Sequence, residues 1–375
     1  MSAHTVEVSK AVQFTFTDSG PPSTERYTTF ILVHGHTYHS GVFKKLGALA
    51  KDNSVRIICL NRREYEGSTS HTPEELRVYQ AGNDEERTKL ISEEGVNLAL
   101  CVDAIILKCA LPASGDVALV GWSLGNTFTL AAMASIASLP HDIRNRLAQC
   151  IKTFVLWDPP SQALGIEDPQ NPYVPLYDMT IPDDVRGQAF GVWVASYFTH
   201  SDLIVHDPKH LQRKPNAKPS NPPTFHDLPF EDLLAITDFS VGVKCDTILT
   251  EPTFKEVVKK IIDTALFDPK TREAWGHPKV AHMWGEANPW NVPWAVWNIE
   301  ERVQDAQGKA PIAFHRITGA NHFLMYMESK STTLISELAD GMMNDGRAYQ
   351  SSGPRVVAEM MWKCWLNACR TRCHP

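Results

Sequence analysis

The stretch Gly121-Trp-Ser-Leu-Gly125 reads G-x-S-x-G. It is set between an apolar run, Val117 to Val120, and a helix-like run, Asn126 to Ala137. A serine whose hydroxyl stands free on a strained strand-to-helix turn needs small neighbours two residues before and after, so that the turn can pack. The helix that follows aims its partly positive N-terminus at any negative charge developing beside that hydroxyl. Ser123 is therefore the candidate nucleophile.

Outward from this motif, short aliphatic and β-branched runs recur at Phe30–Val33, Val55–Leu60, Ile151–Trp157, Val280–Trp284 and Ile312–Ile317. They are too continuously apolar for a sheet wetted on one face. Between the second and third strands, Leu90, Val96, Leu100, Ala104 and Ile105 fall at helical spacing within Glu85 to Ala110. Strands alternating with helices predict an α/β protein with a doubly wound, mostly parallel sheet. The alternation stops after Asp158: Pro159 to Pro229 holds 12 of the chain's 25 prolines. So long an excursion between sheet strands predicts an inserted cap over the site. The expected division is a core part over 1–158, a cap over 159–275, a second core part over 276–345 and a helical tail over 346–375. In that tail Val356–Asn367 has amphipathic spacing, which leaves packing, self-association and membrane contact all open.

Composition bounds the function. The chain has 375 residues, 43% of them apolar and 21% charged, enough for a large core in one elaborated domain. A formal net charge of −7 carries no basic footprint for nucleic acid. The segment Met1–Lys10 has no apolar core of a secretory signal, and Val96–Ala110 is interrupted by Asp103 and Lys108, so an intracellular protein without a membrane span is expected. The eight cysteines are scattered, several within apolar patterns, and read as reduced small hydrophobes rather than a disulfide framework. Cys364, Cys369, Cys373 and His374 read as part of the last helix rather than as a metal knuckle.

A serine hydroxyl becomes nucleophilic when a base takes its proton, and in this arrangement the order along the chain is serine, acid, histidine. His322 meets that order, in the loop Thr318-Gly-Ala-Asn-His-Phe323 after the last strand. A second histidine-rich stretch, His34-Gly-His-Thr-Tyr-His39, follows the first apolar strand with His-x-His-x-x-His spacing. It reads either as the start of a zinc cluster or as an anion-binding loop. The zinc reading lacks the aspartate expected before the third histidine, where Tyr38 stands, and it leaves Ser123 and His322 unexplained. No metal and no cofactor are expected.

Together Val33-His-Gly-His, Asn61-Arg-Arg-Glu-Tyr-Glu-Gly-Ser68, Gly121–Gly125 and Gly319-Ala-Asn-His-Phe323 resemble the α/β-hydrolase superfamily over about residues 28 to 345. The segment Leu60–Thr69 is also similar to fungal members tied to secondary metabolism, including peroxisomal acyl-CoA hydrolases of polyketide pathways. The end of the chain, Arg370 to Pro375, has no S-K-L-type address, and a cytoplasmic location is expected. The resemblance implies that the backbone N–H of His36, with Thr37 as its neighbour candidate, joins that of Leu124 in an oxyanion hole.

The resemblance also implies an acid after the penultimate strand, in a G-x-x-Asp turn, but counting from Gly285 that position holds Asn288. An asparagine orients an imidazole without balancing the imidazolium charge. Two carboxylates offer themselves instead: Asp158 at a strand end stiffened by following prolines, which is preferred, and Glu286 as the alternative. Trp122, Trp284 and Phe323 are the expected pocket aromatics, with packing between cap and sheet as their other reading. The expected reaction is hydrolysis of a hydrophobic ester, lactone or thioester of a small molecule. The alternatives are C–C bond hydrolysis on the same triad, or a non-enzymatic binding protein on this fold. Oligomeric state is not legible.

Overall fold

The computed structural model describes residues 1–112, 116–216 and 220–327, all within one compact unit, Met1–Met342. The expected tail over 346–375, with its amphipathic stretch Val356–Asn367, lies outside the described residues. Eight strands form one sheet: β1 (Ser2–Glu7), β2 (Gln13–Asp18), β3 (Thr28–Val33), β4 (Val55–Leu60), β5 (Asp116–Trp122), β6 (Ile151–Trp157), β7 (Lys279–Gly285) and β8 (Ala313–Ile317). Their order is β1-β2-β4-β3-β5-β6-β7-β8. Every pair from β4 to β8 is parallel, while β1 and β2 are antiparallel additions at one edge.

The near-continuous apolar runs follow from burial on both sides. In β3, Ile31 and Val33 enter one core and Phe30 and Leu32 the other, the two-residue period of a strand covered on both faces. On the first face lie the helix Asp84–Lys108, opened by a capping box between Asn83 and Glu86, and the helix Gly125–Ala134 that leaves the serine turn. On the second face the helix Asn291–Asp305 and most of the excursion after β6 cover Trp122, Trp157 and Met283.

The excursion after β6 contributes to both faces of the sheet. Val174, Trp193, Leu211 and Ile236 pack over the second face as a cap. From Val241 onward the chain returns to the first core: Val241, Cys245 and Leu249 join it, and Val257, Val258, Ile261 and Ile262 bury one stripe of the helix Lys255–Ile262 there. No helix of the described residues is long and apolar enough to cross a membrane.

Candidate active site

Ser123 sits at the end of β5 with φ of +55°, a left-handed conformation costly for a non-glycine residue. The strain is held by close packing on both sides. A Cβ on Gly125 would fall 2.3 Å from the carbonyl oxygen of Val33, and one on Gly35 would fall 2.7 Å from Ser123 Cβ. The histidine-rich loop thus lies against Ser123 itself.

Three segments from the carboxyl ends of neighbouring strands meet behind that serine, where open α/β sheets place their sites. Asp158, just past β6, is fully buried at a φ of +47°. Its Oδ1 accepts from Gly285 N at 2.8 Å and from Asn288 Nδ2 at 2.9 Å. Its Oδ2 has no hydrogen-bond partner among the described residues and lies 3.8 Å from His322 Nδ1. Asn288 Nδ2 donates to Gly285 O as well, which fixes the amide's orientation and turns its oxygen toward His322 Nδ1 at 2.7 Å. An amide oxygen only accepts, so His322 carries its proton on Nδ1 and presents an unprotonated Nε2.

The site is dry. Burial pushes His322 down to about 3 and Asp158 well above the usual carboxylate range, against the pull of the Gly285 and Asn288 N–H donors. The Trp122 indole N–H holds the His322 carbonyl at 3.1 Å, and the two rings pack 5.1 Å apart. Burial thus favours the neutral imidazole of His322.

Glu286 does not reach this cluster. Its Oε2 accepts from Gly319 N at 3.1 Å, on the rim of the loop that carries His322. Asn288, read in the sequence as able to orient an imidazole without balancing its charge, is the direct partner of His322. Its signal was its place in the G-x-x-Asp turn.

The three histidines after β3 are engaged with the protein. His34 Nε2 accepts from Arg62 N, so its Nδ1 donates to Gly35 O. Both His36 nitrogens meet hydroxyls, of Thr37 at 2.6 Å and Thr247 at 2.9 Å, and His39 Nδ1 accepts from Gly41 N. The Thr37 N–H donates to Tyr65 OH at 3.0 Å and is not free for an anion. Among the described residues the N–H groups of His36 and Leu124 have no such partner.

One pocket brings Ser123, His36, Leu124 and His322 to a common wall. Its other walls are mostly apolar, among them Val174, Leu176, Phe190 and Val194 from the excursion and Val292 from the helix after β7, with the polar side chains of Gln162, Thr250 and Asn291 between them. Trp122, Trp284 and Phe323 do not line it. Each is buried in the second core, where Trp122 packs on Trp157 and Phe323 packs on Tyr38. The sequence missed the lining because single aliphatic residues in an irregular, proline-rich segment carry no periodicity.

Residues 30–332 match the family model described as Alpha/beta hydrolase family. No curated protein matches the sequence. Similar solved structures include a bromoperoxidase from Bacillus anthracis at 15% identity, covering 92% of this chain and 100% of that one with a TM-score of 0.47. An esterase from Exiguobacterium antarcticum is similar at 11% identity, over 89% of this chain and 96% of that one, with a TM-score of 0.47. Epoxide hydrolase A from Mycobacterium thermoresistibile is similar at 15% identity, over 92% and 98%, with a TM-score of 0.47.

Proposed function

Because the chain belongs to the alpha/beta hydrolase family, we propose that it is a serine hydrolase cleaving an uncharged, hydrophobic ester, lactone or thioester through Ser123, His322 and Asp158. One observation carries the reading. A strained Ser123 shares a mostly apolar cavity with a buried His322 whose Nδ1 proton is fixed by Asn288, with the unpartnered oxygen of Asp158 behind it.

In the proposed reaction Ser123 Oγ attacks the carbonyl carbon while His322 Nε2 takes the hydroxyl proton. The carbonyl electron pair moves onto oxygen, which the N–H groups of His36 and Leu124 receive. Collapse of the tetrahedral intermediate expels the alcohol or thiol, protonated by His322. Water then attacks the acyl-enzyme by the same route and releases the acid. The imidazolium formed twice in the cycle is balanced by Asp158, and each formation of that cation favours the ionised carboxylate beside it.

The substrate class rests on the walls. No lysine or arginine lines the cavity among the described residues, so an anionic acyl group would be buried without a counter-charge. Valine, leucine and proline faces suit an aliphatic or flat apolar acyl group instead. A fluorophosphonate probe followed by peptide mass spectrometry tests the nucleophile. The expected result is one adduct, on the peptide containing Ser123, that is lost in Ser123→Ala. An unlabelled, folded wild type would overturn the reading.

A further inference from the structure

We propose that Asp246, carried on the excursion after β6, is the positioning residue of the loop that offers its N–H to the oxyanion. The proposal rests on the serine-hydrolase reading above and assigns a task to a buried charge which that chemistry does not use. Asp246 is 1% exposed, yet it is charged, and Arg62 holds it with two bonds of 3.1 and 2.5 Å. Tyr65 OH donates to the same carboxylate at 2.6 Å. The charge of Arg62 and these bonds keep Asp246 below the ordinary carboxylate range despite its burial.

Every arm of this cluster reaches the loop from His34 to Thr37. Arg62 Nε donates to His34 O at 3.1 Å, and its terminal nitrogen donates to Gly35 O at 2.9 Å. The Tyr65 oxygen accepts from Thr37 N, at a residue whose φ is +65°. The neighbour of Asp246, Thr247, holds His36 Nε2. The remaining loop carbonyls are bound as well, His36 O by Tyr38 N and Thr37 O by Asp238 N. With the four carbonyls and the Thr37 N–H engaged, the peptide between Gly35 and His36 has a fixed plane, and the His36 N–H stays unengaged at the cavity wall.

A buried ion pair is weak evidence for stability, because desolvation offsets most of the attraction. A pair whose arginine also donates to two carbonyls of one loop is suited instead to preorganisation, which counts only where charge develops. The excursion would then set the oxyanion hole as well as wall the cavity.

Tyr65→Phe, Thr247→Val and Asp246→Asn test this in the full chain. The readouts are kcat and KM for a p-nitrophenyl ester, the inhibition constant of phenylboronic acid, whose serine adduct is tetrahedral, and the melting temperature. Tyr65→Phe keeps the ring and the Arg62–Asp246 pair, so it serves where Asp246→Asn does not fold. The expected result for Tyr65→Phe is a kcat about tenfold lower, KM within about twofold, and boronic acid weakened in parallel with kcat/KM. A lowered melting temperature with kcat and boronate affinity unchanged would overturn the proposal and leave the cluster a purely structural one. A wild type that neither hydrolyses the ester nor labels with fluorophosphonate would fail the hydrolase reading, on which this proposal depends. A labelled wild type with unaffected variants fails the positioning role alone.

Discussion

His322 Nδ1 donates to the amide oxygen of Asn288 at 2.7 Å, so the first partner of the candidate base is neutral. The carboxylate stands one step back, bridged by the other end of the same amide. Asn288→Ala would leave His322 free to adopt the other tautomer and Asp158 with one donor fewer. The expected outcome is a kcat lower by about 10²-fold with the fold intact, checked by steady-state kinetics alongside circular dichroism.

The two carboxylates considered for the triad differ in what they touch. Asp158→Asn removes the charge beside His322 and is expected to lower kcat by roughly 10²–10⁴-fold. Glu286→Gln loses one charge-assisted bond to Gly319 N and is expected to leave kcat within about threefold. Rate measurements on the two variants check this, and the reverse order would move the acid to the turn after β7.

Much of this geometry was legible in the sequence, and the reasons are local. Gly121 and Gly125 mark the serine turn because the backbone of Asn126 and Val33 leaves no room for a Cβ at those positions. The β3 to β7 runs were readable because burial on both faces demands nearly unbroken apolar residues, whereas β8 is a partly exposed edge strand. The hairpin of β1 and β2 was not read, although Gln13-Phe-Thr-Phe-Thr-Asp18 alternates apolar and polar residues as an edge strand does. Nor was the partnership of Arg62 and Asp246, which are 184 residues apart and meet only once the chain is folded.

The acid limb of kcat/KM should reflect the burial of His322. Because burial depresses its pKa to about 3, the neutral base persists to lower pH than an exposed imidazole, which titrates near 6.5. The expected limb lies below pH 6.5 in a pH–rate profile on an ester with a non-titrating leaving group. A limb above that value would mean that an ionised Asp158 raises the imidazole more than burial lowers it.

His282 offers a stability test away from the site. It is fully buried on β7, and neither ring nitrogen has a hydrogen-bond partner among the described residues. Burial depresses its pKa to about 3, whereas the unfolded chain titrates near 6.5. The unfolded state therefore binds more protons between these values, and stability falls as pH drops below about 6.5. His282→Leu removes two unsatisfied atoms at similar volume, and the expected gain is about 1–2 kcal/mol at pH 7 and larger at pH 5. Urea melts of both proteins at the two pH values check it, and an equal gain at both would detach the pH effect from His282.

Gly35 separates catalysis from folding most directly, because its missing side chain faces the nucleophile. A Cβ there would lie 2.7 Å from Ser123 Cβ and 3.1 Å from its Oγ, so the histidine-rich loop, the serine turn or both must move apart. Overpacking of this kind costs about 1–3 kcal/mol, which a domain of this size can tolerate. Catalysis is less tolerant, since displacing the His36 N–H or the Ser123 hydroxyl by even 1 Å can cost about 10²-fold in rate. Gly35→Ala is therefore expected to keep a cooperative melt within several degrees of wild type while kcat falls by about 10²-fold or more. Calorimetry and ester kinetics on the same preparation check it. Retained kcat would mean that the loop after β3 does not carry the oxyanion donor.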